Sequence, residues 1–321
     1  MTTISVVIPC FNSGRWLASA IDSVLEQGLP DVEIIVVNDG STDDTQEVAE
    51  KYFDKIVIVN QENSGVSSAR RVGVRHARGD YIKFLDSDDR LSLGSLALFL
   101  EIANNFPGEA LIGKAVAISD FDNICNEDAY GLPCKFSHLE LLPREFLLTQ
   151  ATQFGMWFLP RGVVNCDKFY NRDINLGEEY TFCIEVIKSG VVVRYCDEIV
   201  CKVRVHNSPE RLSRTKNELD HLKQAGLILE AANFIRDEME GASSKSLLYI
   251  SKLCWVRARD CLRIDCPIAA DAYLRVAKDV YPDIRPVGSF VYRFLCRFLG
   301  PGITEAFLLR VKWLFIKARR V

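Results

Sequence analysis

Val32-Glu33-Ile34-Ile35-Val36-Val37-Asn38-Asp39-Gly40-Ser41 is a β-branched apolar run that stops abruptly at an Asn-Asp-Gly-Ser turn. A run this apolar, with little polar alternation, suits a strand covered on both faces, as in a parallel sheet. Upstream, Ile4–Pro9 (ISVVIP) has the same texture, and Arg15–Gln27 repeats Trp16, Ala20, Ile21 and Val24 at helical spacing. Downstream the alternation continues with a helix over Thr42–Tyr52, opened by a Ser/Thr/Asp cluster, and a strand over Lys55–Asn60. A helix over Val66–Ala77, a strand over Tyr81–Leu85, a helix over Leu93–Asn104 and a strand over Ala110–Ile118 follow. This order predicts an α/β fold: a Rossmann-like, mostly parallel sheet flanked by helices and joined by right-handed crossovers.

Residues 120–165 have no clear period, and Val191–Val205 reads as one or two late strands. After Asn217 the texture changes to helical spacing in Leu219–Met239, Lys245–Leu262 and Ile268–Val280, punctuated by Pro267, Pro282 and Pro286. Two amphipathic stretches, Ser289–Leu299 and Thr304–Ala318, flank Gly300-Pro301-Gly302. The expected division is an α/β domain over 1–215 and a helical C-terminal appendage over 216–321.

The composition, 48% hydrophobic and 26% charged over 321 residues, is that of an ordinary globular protein. No apolar run approaches the roughly 20 residues that a membrane-spanning helix needs. Met1-Thr2-Thr3 has no basic leader segment, so a cytoplasmic location is expected, including the inner face of the plasma membrane. The 11 cysteines are scattered without a C-x-x-C pair, which reads as reduced, mostly buried thiols. Net charge is −4, yet residues 286–321 hold seven Lys/Arg and one acid, Glu305. A +6 tail on a −10 body suits a negatively charged surface as partner.

In an open parallel sheet, ligands bind beyond the carboxyl ends of the strands. Those ends carry Cys10-Phe11-Asn12, Asp39-Gly40-Ser41, Asn63-Ser64-Gly65 and Asp86-Ser87-Asp88-Asp89. Neither G-x-x-x-x-G-K-[ST] nor a G-x-G-x-x-G after the first strand occurs, which excludes the usual phosphate-cradling loops. Carboxylates as close as those of Asp86, Asp88 and Asp89 repel unless a cation sits among them. An all-oxygen set suits Mg²⁺ or Mn²⁺ shared with substrate phosphates. Asp88 or Asp89 serving only to cap the following helix is the competing reading.

These segments together resemble the glycosyltransferase family 2 enzymes, which have the GT-A fold. The resemblance rests on Ser5–Asn12, Ile34–Asp43, Asn63-Ser64-Gly65 through Ser68-Ala69-Arg70, and Phe84–Asp89, and extends over about residues 4–206. It implies that Pro9, Phe11 and Asn12 pack on a nucleoside and that Asp39 accepts a hydrogen bond from the base. It implies that Arg70 faces the donor diphosphate, though Arg71 stands where the family has Asn. Asp86 and Asp88 match the family's D-x-D motif, with Asp86 and Ser87 toward the donor and Asp86, Asp88 and His206 toward a divalent metal. Val164–Asp173 resembles the segment before the acceptor-side helix, and Gly177-Glu178-Glu179 stands in place of the E-D motif. That position makes Glu179 the general base, a glutamate where aspartate is usual. Asp128, Trp157 and the helical appendage are candidates for shaping an acceptor pocket.

The expected activity is thus inverting transfer of a sugar from a nucleoside-diphosphate sugar, UDP favoured, to a hydroxyl of a glycan or lipid-linked acceptor. The resemblance points to bacterial surface polysaccharide as the product. Nucleotidyl transfer to a sugar phosphate, and a non-catalytic sugar-nucleotide or membrane-binding module, stay open as alternatives. The basic tail interleaves Phe290, Tyr292, Phe294, Phe298, Phe307, Trp313 and Phe315 with its cations, which suits either an anionic membrane interface or packing on the first domain. No basic patch marks the first domain for nucleic acid.

Overall fold

The computed structural model describes residues 2–130, 137–148, 152–164, 177–206, 217–238 and 244–318. The chain divides into two compact units, Met1–Leu147 with Ala151–Glu210, and Leu148–Gln150 with Arg211–Val321.

The first unit runs β1 (Ile4–Cys10), α1 (Gly14–Leu25), β2 (Val32–Asn38), α2 (Thr45–Glu50), β3 (Val57–Asn60), α3 (Val66–His76), β4 (Tyr81–Phe84), β5 (Arg90–Leu91) and α4 (Ser95–Asn105). It continues with β6 (Ala110–Ile118), β7 (Ile124–Tyr130), β8 (Trp157–Pro160), α5 (Arg161–Val164), α6 (Glu178–Lys188) and β9 (Val193–Arg204). Every residue of β1 is buried, so neither face of this strand meets water. α1 covers it with Leu17, Ala20, Ile21 and Val24, the helical stripe read from the sequence.

The sheet order is β3-β2-β1-β4-β8-β6-β9-β5, with β7 paired to β6. β3, β2, β1 and β4 are mutually parallel, as expected. Beyond β4 the sheet is mixed: β8 runs antiparallel to both β4 and β6, while β6 and β9 are parallel. β8 is a four-residue strand from the region without a clear sequence period, too short to announce itself. α2 begins at Thr45, later than the sequence suggested, because the residues before it serve the neighbouring loop. Thr42 N–H donates to Asn12 Oδ1 (2.8 Å), and Asp43 Oδ2 accepts from Gly14 N–H (3.1 Å).

Trp157, one of the candidates for shaping an acceptor pocket, is wholly buried. Its indole N–H donates to Thr152 Oγ1 (2.9 Å), and its ring meets Phe182 edge-on at 5.6 Å. The side chain of Asp128 lies outside the described residues. Tyr81, Phe158 and Phe99 stack in the core at 4.6 and 4.9 Å. Against them lies a buried lysine, Lys83, whose ammonium donates to Gly155 C=O and sits 4.9 Å from the Phe99 ring centre. Burial pulls its pKa down to about 8.

The second unit is helical: α7 (Glu218–Glu238), α8 (Ser244–Arg263), α9 (Pro267–Val280) and α10 (Phe290–Ala318). α10 is broken at Gly300 (φ 72°, ψ 167°), immediately before Pro301, so it is two helical segments, as the Gly-Pro-Gly sequence predicts. Arg259 lies 3.9 Å over the buried Tyr292 ring and pairs with buried Glu305 at 2.5 Å. No helix among the described residues is long and apolar enough to cross a membrane. Of the described cysteines only Cys125 is exposed, and all nine are free thiols.

Candidate functional site

Strand register sets the site. Cys10 pairs with Asn38 and Asn38 with Asn60, which brings the carboxyl ends of β1, β2 and β3 level. Asp39 leaves β2 at that edge and is buried. Its Oδ1 accepts from Gln61 Nε2 (2.6 Å) and Ser64 N–H (2.8 Å), and its Oδ2 from Gly65 N–H (2.8 Å). One carboxylate thus fixes the loop that leads into α3. Gly40 follows at φ 74°, where an added Cβ would stand 2.8 Å from Asn63 N, so close approach of the two loops requires glycine.

The β1 end is held from the same side. Asn12, at φ 48°, accepts from Thr42 N–H through Oδ1 and donates its own N–H to Ser41 Oγ (3.0 Å). Pro9 is buried within β1, whereas Phe11 is 42% exposed at its end. Burial, then Asp43 and Asp39, push the Cys10 thiol up to about 12, so this sulfur is no nucleophile at neutral pH.

After β4 the four-residue acidic loop divides its duties. Ser87 turns inward and donates to Ser13 Oγ (2.8 Å). Asp89 is buried and accepts the backbone N–H of Arg204 (2.8 Å). Asp86 and Asp88 keep side chains 29% exposed. Arg204 locks this loop: its Nε donates to Asp88 C=O (2.8 Å) and its Nη atoms to Ser119 C=O, Asp120 C=O and Asp122 Oδ1. The sequence reading passed over Arg204. Its signal is an arginine that closes the apolar stretch Val200, Cys201 and Val203 at the buried end of β9.

Arg70, on α3, is 3% exposed and spans two motifs. It donates to Asp86 Oδ1 (2.7 Å) and to Glu178 Oε1, while Ser67 Oγ donates to Glu178 Oε2 (2.5 Å). Its guanidinium also stacks 3.7 Å over Phe154. Burial alone would lower the guanidinium's pKa, but Glu178 and Asp86 more than offset it and the net shift is upward. Asp86 is raised, first by burial and then by Asp88 and Glu178, with Arg70 opposing. Glu178 and Glu179 open α6, behind Gly177 at φ 90°, and Glu179 is half-buried. The sequence presents Glu178 as the first acid of the E-D-like pair, with no role assigned to it; in the fold it is the acid that reaches Arg70. Residues 165–176, most of the segment expected before this helix, lie outside the described residues.

His206 completes the cluster. Its Nε2 is 2.9 Å from Asp88 Oδ2, and its ring packs 4.3 Å from Trp16. Among the described residues no three His, Cys, Asp or Glu side chains converge as a ready-made metal cage. Asp86, Asp88 and His206 nevertheless offer the oxygen and imidazole donors that suit Mg²⁺ or Mn²⁺ when substrate phosphates complete the shell. The residues present therefore fit a metal shared with a diphosphate.

The family model described as Glycosyl transferase family 2 matches residues 5–165. EpsJ of Bacillus subtilis, described as an uncharacterized glycosyltransferase, is 45% identical over 209 residues, covering 61% of this chain and 59% of that protein. GgaB of the same organism, a minor teichoic acid biosynthesis protein, is 37% identical over 147 residues, 44% of this chain and 16% of that one. The chain thus spans less than two thirds of these relatives. The S. aureus TarS 1-349 structure in complex with UDP-GlcNAc superposes with TM-score 0.62 at 15% identity, covering 88% of this chain and 92% of that one. The fold is the mixed α/β GT-A arrangement.

Proposed function

Because the chain belongs to glycosyltransferase family 2, we propose that it moves a sugar from a nucleoside-diphosphate sugar to a hydroxyl of a glycan or lipid-linked acceptor. The observation that carries this reading is the Arg70 bridge, which ties Asp86 of the acidic loop to Glu178 at the start of α6. Through one buried guanidinium it joins the acidic loop after β4 to the Glu178-Glu179 pair that opens α6. The relatives favour UDP as the nucleotide, since the TarS structures hold UDP-GlcNAc and UDP, and a surface polymer as the product.

In this reading Phe11 stacks on the nucleoside, and Pro9, Asn12 and Asp39 shape the base pocket. Asp86, Ser87 and Arg70 define the diphosphate edge, with Arg70 acting by fixing Asp86. Asp88, Asp86 and His206 would hold Mg²⁺ or Mn²⁺, which when bound neutralises charge on the departing diphosphate. Glu179 takes the proton from the acceptor hydroxyl as its oxygen bonds to the anomeric carbon. The bond from that carbon to the nucleoside diphosphate breaks on the opposite face, and the configuration inverts. Most of the rate comes from holding the two substrates in line. The basic tail over 286–321 makes peripheral contact with an anionic membrane.

The test is calorimetric titration with UDP, GDP and TDP, each with Mn²⁺ and with EDTA, for the wild type and Asp88→Ala. Metal-dependent binding of one nucleotide, lost in Asp88→Ala, supports the reading. Folded protein that binds none of them with metal present overturns it.

A further inference from the structure

The helical unit contains a cleft that the proposed transfer does not use. α8, the 283–288 loop and the start of α10 enclose about 380 Å³. Three cations line it, Lys252, Arg285 and Arg293, against one acid, Asp283, with Ile284 and Val287 in the apolar wall. All three cations are exposed, and among the described residues none is ion-paired. Three unpaired cations around a small cavity repel one another and favour an anion between them. Guanidinium groups suit phosphate oxygens in particular.

Arg293 belongs to a second feature. On the same helix Phe290, Phe294 and Phe298 are 75%, 53% and 74% exposed, with Val291 at 57%. Arg293 and Arg297 interleave with them. The segment's acid, Glu305, is buried against Arg259 and Arg263, so over 286–308 the exposed formal charges are all positive. Aromatic side chains beside cations are the composition of a helix lying in a bilayer interface. A cationic cleft at the edge of such a face matches an anionic phospholipid: headgroup in the cleft with its phosphate toward the cations, acyl chains beside the phenylalanines.

We propose that the cleft of Lys252, Arg285 and Arg293 is a headgroup site for an anionic phospholipid, loaded from the bilayer on which Phe290, Phe294 and Phe298 rest. This rests on the membrane-facing reading of the tail and is independent of sugar transfer. The test uses the full chain with monomeric short-chain phosphatidylglycerol, with inorganic phosphate, and with phosphatidylcholine vesicles with and without phosphatidylglycerol. Expected are saturable one-to-one binding of the monomeric lipid and weakening by tenfold or more in Lys252→Gln/Arg285→Gln. Arg297→Gln, outside the cleft, should keep that site and lose only about fivefold on anionic vesicles, the general effect of one surface cation. Phe290→Ser/Phe294→Ser/Phe298→Ser should lose vesicles yet keep the monomer. Each variant is compared at an unchanged thermal transition. Anionic vesicle binding without monomer binding, or equal losses in the cleft and Arg297 variants, overturns the cleft and leaves the membrane face standing. Competition by inorganic phosphate as strong as by the lipid makes the cleft a phosphate site and overturns the lipid assignment. Failure to bind any vesicle or lipid overturns both.

Discussion

Arg70 donates a hydrogen bond to Glu178 across 108 residues of sequence, joining α3 to the first residue of α6. The same guanidinium holds Asp86, so a buried arginine is paired with two partly exposed carboxylates. Removing one member of a buried ion pair strands the other without compensation and costs about 3–5 kcal/mol. Arg70→Met should destabilise the protein by that order in urea unfolding. The double variant Arg70→Met/Glu178→Gln should recover part of the loss. Additive losses would mean the two residues are not coupled.

Glu178 and Glu179 are neighbours in sequence but differ in task. Glu178→Gln should lower stability, because its partners Arg70 and Ser67 are fixed. Glu179→Gln should keep the thermal transition and the affinity for nucleotide while turnover falls by about 10²–10⁴, the usual contribution of a general base. Equal turnover in Glu179→Gln and wild type would sink the assignment.

Arg204 fixes the acidic loop through its backbone, with donations to Asp88, Ser119 and Asp120 carbonyls. Lysine has one ammonium and cannot reproduce that fan of bonds. Arg204→Lys should therefore weaken metal-dependent nucleotide binding at least about tenfold, because small displacements of positioning groups are costly. Isothermal titration alongside the melting curve separates this from unfolding.

Asp39 accepts three donors, two of them backbone amides. Asn in its place has one acceptor oxygen and turns an NH₂ toward a donor. Asp39→Asn should cost about 1–3 kcal/mol, the penalty for leaving buried polar groups unpaired. The 61–65 amides should lose protection in hydrogen exchange. Unchanged protection there would show that the carboxylate does not hold the loop.

Lys83 gives a pH signature. Its folded pKa, about 8, lies below its ordinary value of 10.5 because burial disfavours the ammonium. Below pH 8 both folded and unfolded chains carry the proton, and the folded state bears the full cost of the buried charge. Between pH 8 and 10.5 the folded state has lost the proton and the unfolded state still holds it. Wild type should thus gain stability relative to Lys83→Met across that window, by on the order of 1 kcal/mol per pH unit. The comparison with Lys83→Met removes the opposing trend of the buried thiols, such as Cys10 and Cys183, whose raised pKa makes folding less favourable as pH climbs above 9. A flat difference between the two proteins would refute the burial argument.

Local pattern made the first half of the fold legible. β1, β2, β3 and β4 are apolar runs with helices between, and their parallel pairing follows from that alternation, whereas the order β3-β2-β1-β4 is set by tertiary packing. The break in α10 was equally readable, because Gly300 and Pro301 act on their own backbone. β8 and the buried place of Trp157 were not readable, since a four-residue strand has no period and a tryptophan suits a pocket or a core equally well.

What the sequence by itself determined is where the acidic and asparagine-bearing loops fall, because strand ends are set by local hydrophobic pattern, and the family that those loops mark. Only the tertiary structure decided which side chains are exposed and which are bound to one another. Asp86 and Asp88 face out while Ser87 and Asp89 face in, although all four are adjacent polar residues. Glu178 rather than its neighbour meets Arg70, and Arg204 meets the loop from the far end of β9. Such pairings are chosen by long-range register and by the requirement that every buried charge find a partner, and neither is written in any short stretch of chain.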